Sequence, residues 1–284
     1  MFMFFILIAI LGTGLGLWWG SITFGLVLAL VIGVVYTLIA YYSGDQMILT
    51  MTGAKPVTKE EHPYLYHTVE GLAMAAGLKK APRVFVIEDS ALNAFATGRD
   101  PEHSSITVTT GLLKRMNRQE LEGVIAHEMS HIKNLDIRMM MLAAVLVGVV
   151  VLLSDFMLRS FIWGGRGRRD RESGQGAVII MLLALLLAIL APLFAQMIKL
   201  AVSRRREFLA DANAVALTRY PPGLASALEK IKNDPDPLVD KANRATAHLF
   251  ISTPFRKSKG GLMMTRLFAT HPPIEERIAK LKSM

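Results

Sequence analysis

The chain contains no cysteine among its 284 residues. Disulfides and thiolate ligands are therefore excluded, and any metal site must be built from histidine and carboxylates. Charge is missing where its absence says most. No charged side chain occurs from Met1 through Gly44, and the first basic residue is Lys55. A secretory signal needs a positive leader ahead of its apolar run, so this stretch is expected to be a retained membrane hairpin. Internal repeats and low-complexity tracts are lacking as well. Aromatic and basic residues are not interleaved, which makes nucleic acid a poor partner despite the net charge of +9 and a pI near 9.8. Lysine and arginine beside anionic lipid account for that charge more simply.

What is present is blocks of apolar residues. Hydrophobic residues make up 52% of the chain and the mean hydropathy is +0.39, high for a soluble enzyme. About 20 apolar residues span the hydrocarbon core of a bilayer. The uncharged N-terminal stretch is too long for one crossing and divides into helices over 2–18 and 23–42. Gly16 to Ser21 form the turn, with Trp18 and Trp19 near one interface and Tyr41 and Tyr42 near the other. A third segment runs from Met139 to Leu158, interrupted by Asp155, and a fourth from Ala177 to Leu200, carrying Pro192. Residues 43–138 hold eleven basic side chains and 202–284 hold fifteen, whereas the first turn has none. By the positive-inside rule both polar sections face the cytoplasm. The loop Arg159 to Gly176 carries five arginines and runs against that rule. Either it is exported despite its charge, or the third and fourth segments form a hairpin that does not fully span; crossing is the preferred reading.

The expected organisation is a membrane hairpin over 1–42, a catalytic section over 43–138, a second membrane pair over 139–200 with the arginine-rich loop 159–176, and a second catalytic section over 201–284. The fold class is mainly α, a membrane protein with four predicted membrane helices and an α+β, zincin-like cytoplasmic domain. Its small β-sheet draws on Arg83 to Glu88 and Ser105 to Thr109, with Asn93 to Gly98 between them. Asn117 followed by Glu120 marks a helix start of the capping-box type. Residues 233–261, with Pro235, Pro237, Pro254, Gly260 and Gly261, read as a long surface loop.

That capped helix runs into His127-Glu128-Met129-Ser130-His131. Residues i and i+4 lie about 40° apart around a helix, so both imidazoles leave the same face and can hold one Zn²⁺. Glu128 between them can take the proton of a water activated by the ion. In a chain of this composition the pattern arises by chance roughly once in a hundred sequences, so it needs support. A catalytic zinc wants a third protein ligand from another element. Arg206-Glu207-Phe208-Leu209-Ala210-Asp211, just past the fourth apolar segment, again places two carboxylates four apart. Glu207 can bind the ion while Asp211 accepts a hydrogen bond from the far nitrogen of a ligand imidazole. The plainer alternative pairs Glu207 with Arg204 or Arg205 and leaves Asp211 in water.

The two motifs together, with an apolar pair between them, resemble the HtpX-type membrane zinc metalloproteases of bacteria, relatives of the zinc-dependent CAAX prenyl proteases. The resemblance extends to the N-terminal hairpin, Asn93-Ala94-Phe95 and His271-Pro272-Pro273; Phe208 departs from it, since the family often carries tyrosine there. It implies one Zn²⁺ per chain bound by His127, His131 and Glu207, Glu128 as catalytic acid and base, and Asp211 supporting a ligand. It also implies quality control in the inner (plasma) membrane: proteolysis of misfolded or damaged membrane proteins from the cytoplasmic side, as part of a stress response. His271 would stabilise the oxyanion, or merely cap a helix starting at Pro272. Asn93, Ala94 and Phe95 would form an edge strand pairing with an extended substrate. A prenyl-protein protease and a non-catalytic zinc-binding membrane scaffold are the alternatives; the first calls for more membrane helices, and the second has no need of Glu128. His62, His67, His103 and His248 lack paired spacing and read as ordinary residues. Met139 to Met141 and the leucines at 182–187 read as lipid-facing, and Arg204 to Arg206 as snorkelling to headgroups.

Overall fold

The computed structural model describes residues 2–164, 185–186, 189–191, 193–194, 205–234, 251 and 272–284. The elements are α1 (Phe2–Trp19), α2 (Ile22–Thr52), β1 (Lys55–Pro56), α3 (Pro63–Ala76), β2 (Arg83–Ile87), β3 (Ala94–Gly98), β4 (Ser104–Thr109), α4 (Thr110–Arg115), α5 (Arg118–Lys133) and α6 (Asp136–Gly164). Residues 205–218 are helical (α7), followed by α8 (Pro221–Lys232) and α9 (Ile274–Lys282). The chain folds as two compact units, Met1–Tyr41 with Leu142–Lys199 and Tyr42–Met141 with Leu200–Met284.

In the first unit the expected turn is shorter than Gly16 to Ser21. Helix α1 continues to Trp19, and the reversal is made at Gly20, whose φ of +83° is open to glycine. The backbones of α1 and α2 touch at Gly25, where a Cβ would lie 2.4 Å from the Gly12 carbonyl oxygen and 2.5 Å from Gly16 Cα. Small residues at such a contact are how apolar helices approach closely without a hydrophobic drive between them. Phe4, Ile8, Leu11 and Leu15 pack with Leu146, Val150, Leu153 and Met157. Other large apolar side chains, Phe24, Val27, Val31 and Leu38 among them, turn outward, as lipid favours and water does not. Ile22–Thr52 and Asp136–Arg159 are long and apolar enough to cross a bilayer, and Met3–Leu17 is a shorter apolar helix. Helix α6 passes Asp155 without a break, and Arg159, one turn on, pairs with it at 2.7 Å. The fourth expected segment and most of the arginine-rich loop lie outside the described residues; 185–186, 189–191 and 193–194 are helical.

In the second unit α2 extends ten residues past the expected end at 42, since nothing breaks the helix until Gly53, which takes φ +64°. The sheet runs β1-β2-β4-β3, with β2 and β4 parallel and the outer pairs antiparallel. Lys55–Pro56 is a short edge that propensity alone does not reveal. On one face Val84, Val86, Ala94, Ala96, Ile106 and Val108 pack against α3 and α5. On the other, Ile87 and Phe95 meet Ile48 of the α2 extension. Met141, expected to face lipid, is buried beside Gly44. Helix α5 starts with the expected capping box, Asn117 and Glu120 bonding each other's backbone N–H. Glu120 also accepts from Ser226 and Lys230, which docks α8. At the crossing, a Cβ on Gly123 would stand 2.7 Å from the Leu224 amide nitrogen. Gly123→Ala is therefore expected to cost about 1–3 kcal/mol of stability despite its better helix propensity. An unchanged thermal unfolding midpoint would show that the two backbones are not in contact.

Candidate metal centre

Three helices of the second unit converge on one buried cluster. Helix α5 brings His127, Glu128 and His131, and α7 brings Glu207 and Asp211; all five are buried. The Nε2 atoms of His127 and His131 are 3.2 Å apart. Glu207 offers Oε2 at 3.8 Å from His127 Nε2 and Oε1 at 3.5 Å from His131 Nε2. A tetrahedral ion with bonds of about 2.0–2.1 Å requires donor atoms about 3.3 Å apart; the two Nε2 atoms have that spacing and one Glu207 oxygen lies within 4.8 Å of both. His127, His131 and Glu207 form the candidate metal cluster among the described residues.

Each imidazole is oriented from behind by a carboxylate, and each carboxylate by an arginine. His127 Nδ1 lies 2.9 Å from Asp211 Oδ1. Arg277, on α9, grips that carboxylate with two bonds, Nε to Oδ2 at 2.9 Å and Nη2 to Oδ1 at 2.7 Å. Its Nη1 lies 3.2 Å from Glu207 Oε2 and donates to the Ile251 carbonyl at 3.4 Å. On the other side His131 Nδ1 lies 3.0 Å from Asp136 Oδ2, and Asp136 in turn pairs with Arg206. A hydrogen bond at Nδ1 fixes the tautomer in which Nε2 presents its lone pair to a metal.

The electrostatics follow from burial and these partners. Burial, reinforced by the Arg277 charge, lowers the His127 pKa to about 4. Burial pushes His131 down too, but its bond to Asp136 and the charge of Glu207 outweigh that and raise it to about 9. Glu128 is raised to about 7, chiefly by burial and against the pull of His131. For Asp211, burial is outweighed by the Arg277 guanidinium and the His127 bond, which hold the carboxyl well below the usual range.

Glu128 turns towards the sheet, where the backbone N–H of Ala96 donates to it. Strand β3 is an edge, and Thr109 N–H donates to the Asn93 carbonyl. In an antiparallel ladder the bonded pairs alternate, so Ala94 and Ala96 direct their backbone groups away from β4. The Asn93 side chain accepts from Ala94 N–H at 3.1 Å, and the Ala94 carbonyl accepts from Ile251 N–H at 2.9 Å. The Phe95 ring belongs to the opposite face of the sheet. His271 and His248 lie outside the described residues. His103 is paired with Asp100 and His67 with Glu70. Arg206, expected to snorkel, turns to Asp136, and Glu207 meets Arg277; Arg204 lies outside the described residues.

Asp136, Arg206 and Arg277 are the residues that sequence reasoning missed as parts of this cluster. Asp136 stands five residues after His131, off the i+4 pattern, and reads as the acidic start of an apolar helix. Arg277 sits in Ile274-Glu275-Glu276-Arg277, which reads as a solvated helix start; it is 1% exposed.

The family model described as Peptidase family M48 matches residues 59–284. A curated protein named Protease HtpX homolog, from Thermoanaerobacter pseudethanolicus, is 50% identical over 261 residues, covering 92% of this chain and 85% of that one. Its namesake from Streptococcus gordonii is 45% identical over 285 residues, covering 99% and 94%. The crystal structure of S. mikatae Ste24p superposes with a TM-score of 0.54 at 21% identity. That match covers 89% of this chain and 57% of the Ste24p chain, and it is a likeness of fold.

Removing either orienting carboxylate, by Asp136→Ala or Asp211→Ala, is expected to weaken metal binding about 10–100-fold. Chelator competition on the purified chain measures this; affinities equal to the parent would mean that the imidazoles hold their orientation unaided.

Proposed function

Since the chain belongs to peptidase family M48 and is an HtpX-type metalloprotease, we propose that it is a membrane endopeptidase. In this reading His127, His131 and Glu207 hold one Zn²⁺ and Glu128 is the general base and acid. The observation that carries it is the meeting of three ligand-type side chains, two imidazole Nε2 atoms 3.2 Å apart and the Glu207 carboxylate within 3.8 Å of both, with a further buried carboxylate, Glu128, next to the first of them.

Zinc at that point supplies Lewis acidity, polarising a peptide carbonyl and making water a nucleophile near neutral pH. Glu128 accepts the proton of the attacking water and returns it to the leaving amine. The Ala96 N–H holds the Glu128 carboxylate in place between these transfers. Asp211 and Asp136 keep the ligand imidazoles in register. His271 is the proposed donor to the developing oxyanion. An extended substrate pairs with the edge of β3 around Asn93, Ala94 and Phe95, displacing the Ile251 N–H from Ala94. Backbone pairing of this kind gives affinity with little demand on sequence, which suits unfolded segments of misfolded or damaged membrane proteins.

The placement we infer is multi-pass in the cell inner membrane. Two hairpins, 1–42 and 139–200, alternate with catalytic sections 43–138 and 201–284 that face the cytoplasm. The excess of lysine and arginine in both polar sections supports that orientation.

Glu128→Gln is nearly isosteric yet cannot act as a base. It is expected to retain stoichiometric zinc and to lose cleavage of an unfolded protein by about 10²–10⁴-fold or more. Equal cleavage by both forms would remove Glu128 from the mechanism; inertness of both with zinc bound would favour a scaffold. Asn93→Ala is expected to raise KM or lower turnover with zinc content intact. Loss of zinc in that variant would assign Asn93 a structural role instead.

A further inference from the structure

The end of the sheet at which β2 begins is tied twice to the end of the apolar run of α2. Asp45 is the first charged residue of the chain, and it follows Tyr41 and Tyr42 directly after the apolar stretch. Arg83 Nη2 donates to Asp45 Oδ2 at 3.0 Å. The Arg99 guanidinium lies 5.8 Å from the centroid of the Tyr42 ring. Arg83, Gly98 and Ser104 share one end of the sheet, because β2 and β4 run parallel and β3 antiparallel. Helix α2 then runs on over the sheet, where Ile48 packs against the cluster of Ile87, Ala91 and Phe95. The Arg83 end is therefore the one level with Tyr42, where a crossing α2 leaves the bilayer.

The chain reaches Arg83 from α3 by way of a Gly77 turn and Lys79-Lys80-Ala81-Pro82. Lys80 and Arg83 are three residues apart, at most about 11 Å. Other basic groups at this end are partnered, Arg83 by Asp45 at 3.0 Å and Arg99 by Asp100 at 3.5 Å. Lys79 and Lys80 are exposed and form no ion pair among the described residues. On the last turn of α3, Met74 is 74% exposed. A lysine doublet without an ion pair among the described residues, five residues past an outward methionine, matches the chemistry of an anionic bilayer surface.

We propose that the Lys79–Lys80 turn and Met74 form a membrane-surface contact, the lysines meeting anionic phospholipid headgroups and Met74 the acyl boundary. The contact holds the catalytic section against the bilayer at a third point besides α2 and α6. It rests on the reading that α2 crosses the membrane.

The absence of native cysteine permits single labels on the full chain. Met74→Cys and, separately, Val31→Cys at the middle of α2 carry an environment-sensitive fluorophore in nanodiscs of phosphatidylcholine with or without phosphatidylglycerol. Shallow and deep spin-labelled lipids serve as quenchers. The Met74 label is expected to be quenched by the shallow probe when phosphatidylglycerol is present. Each lysine near an anionic surface is worth about 1 kcal/mol, so Lys79→Gln with Lys80→Gln should reduce the contact equilibrium roughly 30-fold. Added salt should weaken it as well. The proposal is overturned if the Met74 label stays unquenched while the Val31 label is quenched by the deep probe. It is equally overturned if quenching at Met74 ignores both phosphatidylglycerol and the lysine substitutions, for then no headgroup charge is involved. An unquenched Val31 label overturns the membrane-crossing reading itself, and the surface contact with it.

Discussion

Burying charge is the constraint on which this structure depends. Glu128, Asp136, Glu207, Asp211, His127, His131 and Arg277 are all shielded from water, and an unmatched buried ion costs several kcal/mol, a large fraction of a domain's net stability. The chain meets the constraint by pairing. Arg277 balances Asp211 and lies against Glu207, and Arg206 balances Asp136. Those pairs leave two imidazole Nε2 atoms and the Glu207 carboxylate gathered around one point. The matching of the remaining charges is what gathers the groups of a possible metal site there.

The scaffold exists to hold this arrangement steady. The capping box fixes where α5 begins, and Gly123 lets α8 approach until Glu120 reaches Ser226 and Lys230. The sheet supplies a backbone donor, Ala96, to Glu128. Helix α6 has two duties. Its first residue orients the His131 imidazole, while its later residues are apolar enough to span a bilayer. The pairing of Asp136 with Arg206, at the start of α7, ties the entry to one apolar region to the exit from another.

Much of the candidate site was legible because its spacing is local. His127 and His131, and then Glu207 and Asp211, are each four residues apart, and a helix alone puts such pairs on one face. Strands β2, β3 and β4 were legible to within a residue at each end, whereas the two-residue edge β1 was not. Asp136 and Arg277 were not, because nothing in their neighbours distinguishes a buried counter-ion from a solvated helix start. The end of α2 was misplaced for a related reason: the apolar run stops at Tyr42, but the helix is ended by backbone conformation at Gly53, and its polar extension is stabilised by packing on the sheet.

The sequence by itself determined the chemistry on offer and the medium it works in. The absence of cysteine, two i,i+4 pairs of metal-binding type and long uncharged runs pointed to a histidine- and carboxylate-based metal site attached to apolar helices. The tertiary structure decided which charges meet. Segments 70 to 150 residues apart place Arg206 on Asp136 and Arg277 beside His127. Such contacts depend on three-dimensional approach and electrostatic balance, to which the local periodicity of the chain is blind.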